Sequence, residues 1–568
     1  MKRAKLGTIG LSLVALILPA CMTAAGASSF FGRVQPPSEQ VLRYNNAAEP
    51  RSIDPHKSAG LPEGNIMINI YETLATYDPK TLEPRPGVAT HWQALEQARR
   101  WIFYLRKDAV WTDGHPVTAH DFVWAWQRGI DPKTANPYAN LLYYVRNGEA
   151  IANGEMATEK LGIRAIDDYT LEVEMQRPTA FFVKMTPHYV FSPLPRWAIE
   201  KWGERWTDPD KIVSNGPFKF AQHKPYDHII LVKSPTYWDA ANVKLEKAIF
   251  TPIEDAATVM NLYKAGELDV MQSGEIPINF IKALRVKKDY VTGTSFTIYY
   301  YSFNIKRRPF DDVRVRRAIN MAIDKEAIAY NLVGRGELPA TSFVPPGVAG
   351  YPQLKGPGYD PKQARQLLVE AGYPNGAGFP KTTIYYNTLD GHRQIAEAVQ
   401  GMLKENLNIK IELQNEEWQT IQARRERRDF DLVRDAWTGD YLDASTFLDL
   451  FTNDTLNNHS GWIKPEYTGL MEIANAEADS AKRTELLLQA EQILINDMPI
   501  IPVYFYALNY MKKPFVDGWY RNLLDQHPLK YVSIRENWRL DSPVFSQNEM
   551  REDLVEPYTQ PQEKGNGF

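Results

Sequence analysis

The stretch that most constrains the fold lies between residues 382 and 437. Apolar and aromatic runs at Thr382–Tyr386, Ile409–Leu413 and Phe430–Trp437 alternate with helix-like segments at His392–Glu405 and Trp418–Arg428. A strand–helix–strand–helix–strand series implies parallel strands in one sheet with helices packed on it, so the expected class is α/β. In open parallel sheets ligands sit beyond the carboxyl ends of the strands. The residues just past those ends are Asp390 and His392, Glu416, Glu417 and Trp418, and Thr438 and Asp440. Acids, a histidine and a tryptophan converge on one rim.

The last strand and its exit, Asp429–Leu448 (DFDLVRDAWTGDYLDASTFL), carry both signs of charge. On a two-residue period Arg434, Ala436, Thr438 and Asp440 point one way. Fully extended, the cation and anion stand up to roughly 20 Å apart at about 3.3 Å per residue. A short extended peptide is cationic at one end and anionic at the other, so the stretch reads as a zwitterion socket. That gap exceeds a tripeptide, about 10 Å long, unless Arg434 reaches inward or the chain bends at Gly439.

Residues 1–27 read as a secretory signal. Lys2, Arg3 and Lys5 precede the apolar run Leu6–Leu18, which is too short for a spanning helix. Two processing sites compete. Leu18-Pro19-Ala20-Cys21 resembles a lipoprotein box with cleavage before a lipidated Cys21, and Ala25-Gly26-Ala27 suits ordinary cleavage. Cys21 is the only cysteine, so no internal disulfide forms on either path. Residues 28–40 read as a linker and 541–568 as a flexible tail. With 568 residues, roughly three or four domains are expected. A net charge of −4 gives no reason to expect nucleic acid as a partner.

Between these ends, Val41–Asn45 and Trp101–Arg106 read as strands. Glu63–Thr73 and a Thr118-capped segment to Arg128 read as helices, and Gly216–Phe220 with His228–Lys233 as a hairpin. Thr297–Asn304 is a strand on which alternate tyrosines must face opposite sides. Asp312, Asp324 and Asp360 cap the helices that follow.

Within Trp101–Arg128, the motifs LRKD (Leu105–Asp108), WTDG (Trp111–Gly114) and PVTAHDF (Pro116–Phe122) resemble the signature of the family 5 extracellular solute-binding proteins of ABC importers. VSNGP (Val213–Pro217), SPTYW (Ser234–Trp238), DVRVRRA (Asp312–Ala318), Tyr441 and Ser445–Phe447 extend the match over about residues 40–535. Within that family the chain resembles the periplasmic oligopeptide-binding proteins. The resemblance implies a two-lobed periplasmic-binding-protein (Venus flytrap) fold. Residues 41–71, 195–296 and 509–535 would form lobe I, 72–194 an additional domain and 297–508 lobe II, with hinges near 297 and 508.

The resemblance further implies that Asp440 holds a peptide's α-ammonium and that Arg434, His392 and Arg425 meet its carboxylate. Trp418 and Trp437 would wall the groove, Tyr138 would reach in from the additional domain, and Gly60-Leu61-Pro62 would pair with the peptide backbone. Some relatives carry a cysteine at the position of Thr438 and an acid at that of Ala59, which puts carried-over contacts there in doubt. The expected partners are short peptides and an inner-membrane permease. A monomer in the periplasm or cell envelope is expected, with no cofactor and no metal.

Other functions fit less well. His-Glu-x-x-His, Gly-x-Ser-x-Gly and phosphate-loop motifs are absent from the sequence, which argues against an enzyme. A same-fold binder of cell-wall peptides, dipeptides or another solute, and a chaperone-like binder of unfolded chains, are the alternatives.

Overall fold

Two long antiparallel strands, Tyr290–Phe303 and Ile500–Lys512, form the centre of the architecture. Their ladder runs from Tyr290 opposite Met511 to Ser302 opposite Ile500, with its register broken between Thr294 and Ile298 and again between Tyr299 and Tyr300. The structure is a computed structural model and describes residues 29–58, 61–272, 276–416, 418–452 and 457–539. The signal segment with Cys21, Gly60 and the tail from 541 lie outside these residues. Among them, no helix is long and apolar enough to cross a membrane.

The long strands belong to an eleven-stranded mixed sheet. On one side of them lie Leu432–Thr438, Thr382–Asn387 and Ile411–Glu416; on the other lie Val270–Met271, Val41–Asn45, Lys247–Thr251, His228–Lys233 and Phe218–Lys224, and the short strand Leu338–Pro339 pairs with Ile500–Lys512. The strand–helix series is parallel within itself, as its crossover helices Asp390–Leu407 and Trp418–Arg427 require. Leu432–Thr438 then pairs antiparallel with Tyr290–Phe303, so the whole sheet is mixed rather than parallel.

Strand alternation divides the cores. Tyr299, Tyr301 and Phe303 pack on one face with Val315, Ile319, Ile395 and Val399. Ile298 and Tyr300 pack on the other with Phe343, Phe447, Tyr467 and Leu494. Both faces are covered, which explains why this strand reads as a nearly continuous apolar run. A third core joins residues 42–291 with 510–538 and takes in a four-stranded antiparallel sheet built from Ala89–Leu95, Arg100–Leu105, Ile163–Asp167 and Thr170–Glu174. The cores exchange side chains. Tyr441 is buried in the third, and Tyr77 and Leu82 in the second.

The start of the expected linker is docked. Phe30 is buried against Trp538, and the Phe31 N–H donates to the Asp289 carboxylate. Lys513 Nζ donates to the Phe31 carbonyl and Arg33 N–H to the Lys264 carbonyl. Gly32, at φ +81°, lies so close to Lys264 that a Cβ would fall 2.2 Å from its carbonyl oxygen. Two adjacent phenylalanines with a burial site override the local polar composition.

The signature motifs converge on the junction between the 72–194 segment and the large sheet. Thr112 and Ser214 exchange hydrogen bonds, joining WTDG to VSNGP. Asn215 holds the Glu72 backbone through its N–H and carbonyl. The buried Glu72 carboxylate accepts from Tyr237 Oη and from Trp238 Nε1 at 2.7 Å, with Lys530 Nζ at 3.6 Å. The Arg106 guanidinium lies over the Trp238 ring. Removing this carboxylate leaves the Lys530 ammonium, which also donates to Tyr237 Oη at 3.0 Å, without its counter-ion and the Trp238 indole N–H without its acceptor. Glu72→Ala is expected to lower unfolding free energy by roughly 3–5 kcal/mol. Urea unfolding checks this, and a loss below about 1 kcal/mol would contradict a structural hub.

Candidate ligand-binding site

The strand Leu432–Thr438 ends where Gly439 turns beneath Phe296. The Gly439 N–H donates to the Phe296 carbonyl, and a Cβ at 439 would lie 2.2 Å from the Phe296 ring, so no larger residue fits without displacement. Thr446 then secures the exit. Its hydroxyl accepts the Asp440 N–H at 3.0 Å, and its carbonyl accepts the Trp437 indole N–H at 2.9 Å. Asp440 is thereby fixed by its backbone while its carboxylate stays open. The side chain is exposed to solvent, yet the surrounding protein desolvates it enough to push the carboxyl up to about 6. Solvent contact on one side and protein on the others accounts for both properties. Among the described residues no hydrogen bond or ion pair satisfies this carboxylate.

Tyr138 lies within electrostatic reach. Burial raises its hydroxyl pKa first, with the carboxylates of Asp440 and Glu63 adding to the shift. Its ring packs edge-on against His188 and Tyr189, at 4.7 and 5.8 Å between centroids. Tyr138 and Asp440, far apart in sequence, are therefore brought within coulombic range of each other.

A cationic cluster lies further back on the same strand. Arg434 is buried and donates to Tyr506 Oη at 2.8 Å and to Asn387 Oδ1 at 3.3 Å, with its guanidinium 4.8 Å from the Tyr299 ring. Arg425 is also buried, although it belongs to the charged run Arg424–Arg428. It shares the inward helix face with Ile421, four residues back, and donates to the Arg434 carbonyl. The buried Asp435 carboxylate accepts from Ser302 Oγ at 3.1 Å and contacts His459 Nδ1, with Arg425 Nε 4.0 Å away. Burial alone would raise its pKa; His459, Arg425 and Arg434 instead hold it at about 2.

His392 differs from its expected role as a further cation. Burial, then the charges of Arg434 and Arg425, lowers its pKa to about 3, so it is neutral near pH 7. It can donate one N–H bond but brings no charge. Two guanidiniums against one buried carboxylate leave the cluster suited to an anion.

The remaining candidates are less direct. Thr438 is exposed, and its hydroxyl pairs with that of Thr297 at 3.0 Å. Trp437 is half-buried and bonded to Thr446, so it braces the Asp440 turn instead of simply walling a groove. Leu61 is 55% exposed but opens the helix Leu61–Ile70, so it is not extended backbone of the kind expected to pair with a peptide. Its N–H, in the first turn, remains outside the helix ladder. Trp418 opens its helix, and its side chain lies outside the described residues. Glu416, on the predicted rim, is engaged by Arg424 at 2.6 Å. Among the described residues no group of three or more His, Cys, Asp or Glu is placed to hold a metal ion.

Sequence reasoning missed Asn387, Asp435, His459 and Tyr506. Asn387 ends a strand on the rim and was accessible to the same rule that found His392. The other three depend on tertiary pairings: Asp435 with Ser302 and Arg425, His459 with Asp435, and Tyr506 with Arg434.

An open acid and a buried cationic cluster on one strand exit, set in this mixed sheet, match a known class. The chain belongs to the bacterial extracellular solute-binding proteins, family 5, whose model matches residues 83–459. It is 37% identical over 518 residues to the periplasmic oligopeptide-binding protein OppA of Salmonella typhimurium, covering 89% of this chain and 94% of that protein. Among solved structures it is similar to the unliganded open form of the murein tripeptide-binding protein MppA, with TM-score 0.81 and 35% identity over 88% of this chain and 98% of that one. It is also similar to Haemophilus influenzae OppA in complex with RPPGFSPFR, with TM-score 0.68 and 34% identity over 88% and 100%.

In the ligand-free protein the Asp440 carboxyl is expected to titrate near 6, well above the ordinary aspartate value of about 3.9. Carbon-detected NMR of the side-chain carboxyls checks this against Asp440→Asn. A midpoint near 4 would show that the turn is open to bulk water.

Proposed function

We propose that the protein is the capturing component of an ABC importer, taking short peptides between two lobes and passing them to a membrane permease. The observation that carries the reading is the Asp440 carboxylate: exposed, desolvated, and without a protein partner among the described residues. A peptide α-ammonium supplies the missing partner through a charge-assisted hydrogen bond. The Arg434 cluster, with a neutral His392 as donor, receives the carboxylate of the other end. Backbone pairing common to all peptides would then leave side-chain identity largely unread.

Residues 41–71, 195–296 and 509–535 form lobe I in this proposal, 72–194 the additional domain and 297–508 lobe II. The register break between Thr294 and Ile298 supports a hinge near 297. The two solved neighbours match this chain with nearly equal identity and coverage. The higher score on the open form therefore supports an open, ligand-free arrangement. The protein acts as an exported monomer that binds without chemistry, and retention of lipidated Cys21 decides between membrane surface and free periplasm. A cell-wall peptide is the second reading, supported by the MppA likeness; its free amine suits the same socket.

Native mass spectrometry of protein purified without denaturation is expected to release short peptides, and a single non-peptide solute would overturn the proposal. Asp440→Asn or N-acetylation of a tripeptide should each weaken binding about 10- to 100-fold, and the two together little more than either alone. Unchanged affinity in calorimetry would remove the ammonium socket. The pH dependence has a defined sign. The free acid must ionise to bind an ammonium, and binding lowers its pKa, so binding releases a proton. Between pH 7 and 5 affinity for a free-amine tripeptide should fall about tenfold, from a midpoint of about 6, while that for the acetylated peptide stays nearly level.

A further inference from the structure

The turn that carries Asp440 is gripped from outside its own part of the chain. Tyr441, the next residue, stacks on Phe181 with centroids 4.9 Å apart and planes 3° from parallel. Among the described residues it is the one residue of 297–508 buried in the core shared by 42–291 and 510–538. Its hydroxyl lies 3.5 Å from Tyr144 Oη and 3.3 Å from Ser445 Oγ.

Two residues further on, Asp443 is buried and fully engaged. Arg483 donates to both of its oxygens at 2.7 Å, and Lys184 Nζ approaches at 3.4 Å. The same carboxylate accepts the Ser445 N–H at 3.0 Å and hydroxyl at 2.7 Å, starting the short helix whose Thr446 holds the Asp440 N–H. The Arg483 guanidinium lies 5.4 Å from the Phe181 ring, so the stack and the ion pair are one assembly. The Ala180 N–H donates to the Asn475 carbonyl at 2.9 Å, adding a backbone link beside it. Phe181 and Lys184 therefore touch the socket segment on both sides of Leu442, at Tyr441 and Asp443, and not at Asp440 itself.

We propose that Phe181 and Lys184 are positioning residues for the ligand's amine end: by gripping Tyr441 and Asp443, the additional domain fixes Asp440 in place before ligand arrives. This rests on the reading of Asp440 as an ammonium socket. A pre-set acid saves the ligand the cost of ordering the turn. Tyr138, from the same additional domain, is held in register with Asp440 by the same grip. The additional domain then contributes to how strictly a free amine is demanded, beyond enlarging the protein.

The test measures affinity for a tripeptide and its N-acetylated form by calorimetry in Phe181→Leu, Lys184→Met and Lys184→Arg, each with Asp440 intact and as Asp440→Asn. Phe181→Leu and Lys184→Met should reduce the free-to-acetylated affinity ratio about threefold or more, a size seen for residues outside a ligand site. Lys184→Arg should keep the ratio, and none of the three should alter it once Asp440 is Asn. Lys184 is partly solvent-exposed, so Lys184→Met keeps the test decisive should Phe181→Leu unfold. Parallel loss for both peptides, an equal effect in the Asp440→Asn background, or no change in ratio would overturn the inference. If Asp440→Asn itself leaves the ratio at the wild-type value, the ammonium socket fails; if it abolishes the ratio while Phe181→Leu and Lys184→Met do not, only the positioning role fails.

Discussion

The backbone ladder between Tyr290–Phe303 and Ile500–Lys512 is the constraint on which the rest depends. It is the shared seam of a sheet whose two sides have different topologies, one with parallel strands and crossover helices, the other closing with an antiparallel hairpin. Because side chains alternate along it, the seam supplies Tyr299 and Tyr301 to one core and Ile298 and Tyr300 to another. The same seam places Tyr506 and Tyr299 around Arg434. The cationic cluster is therefore a product of the central ladder, whereas the open acid is a product of the turn that leaves it.

The two ends solve opposite electrostatic problems. Arg434 and Arg425 are taken out of water, and their burial is tolerable because Asp435 sits among them with its own hydrogen bonds met. Asp440 has no such counter-ion among the described residues, and its elevated pKa is the cost of that isolation. A buried cluster with more cationic than anionic groups and an acid without a protein partner among the described residues therefore stand on one strand and its exit.

Much of this was legible in the sequence, for reasons that differ by residue. The strand–helix series and the caps at Thr118, Asp312 and Asp360 are local, and local chemistry fixes them: Asp312 and Asp360 accept from their first helical turns, and Thr118 with Asp121 forms a capping box. The motifs that revealed the family, LRKD, WTDG, VSNGP and SPTYW, turn out to build the Glu72 junction, so they identify the scaffold and not the ligand. Asp440 stood out because glycine and an acid directly follow a strand. The burial of Arg425 is not legible because composition cannot show which face of a charged helix turns inward, and the neutrality of His392 is not because it depends on burial and on two arginines distant in sequence. The docking of Phe30 and Phe31 was hidden for the same reason: their partners lie near residues 263, 289, 513 and 538.

The hairpin of Ala75–Tyr77 and Pro84–Pro86, which seats Tyr77 and Leu82 in the core around Phe296 and Phe343, has a mechanical consequence. Two bodies joined by a pair of adjacent strands alone can bend, twist and shear about the joint. A third attachment, set off the strand axis and filled by buried side chains, opposes twist and shear, since either would drag an aromatic ring out of its seat. The Phe181–Tyr441 stack and the Lys184–Asp443 pair are a fourth attachment, so any relative rotation must either pivot close to these contacts or break them.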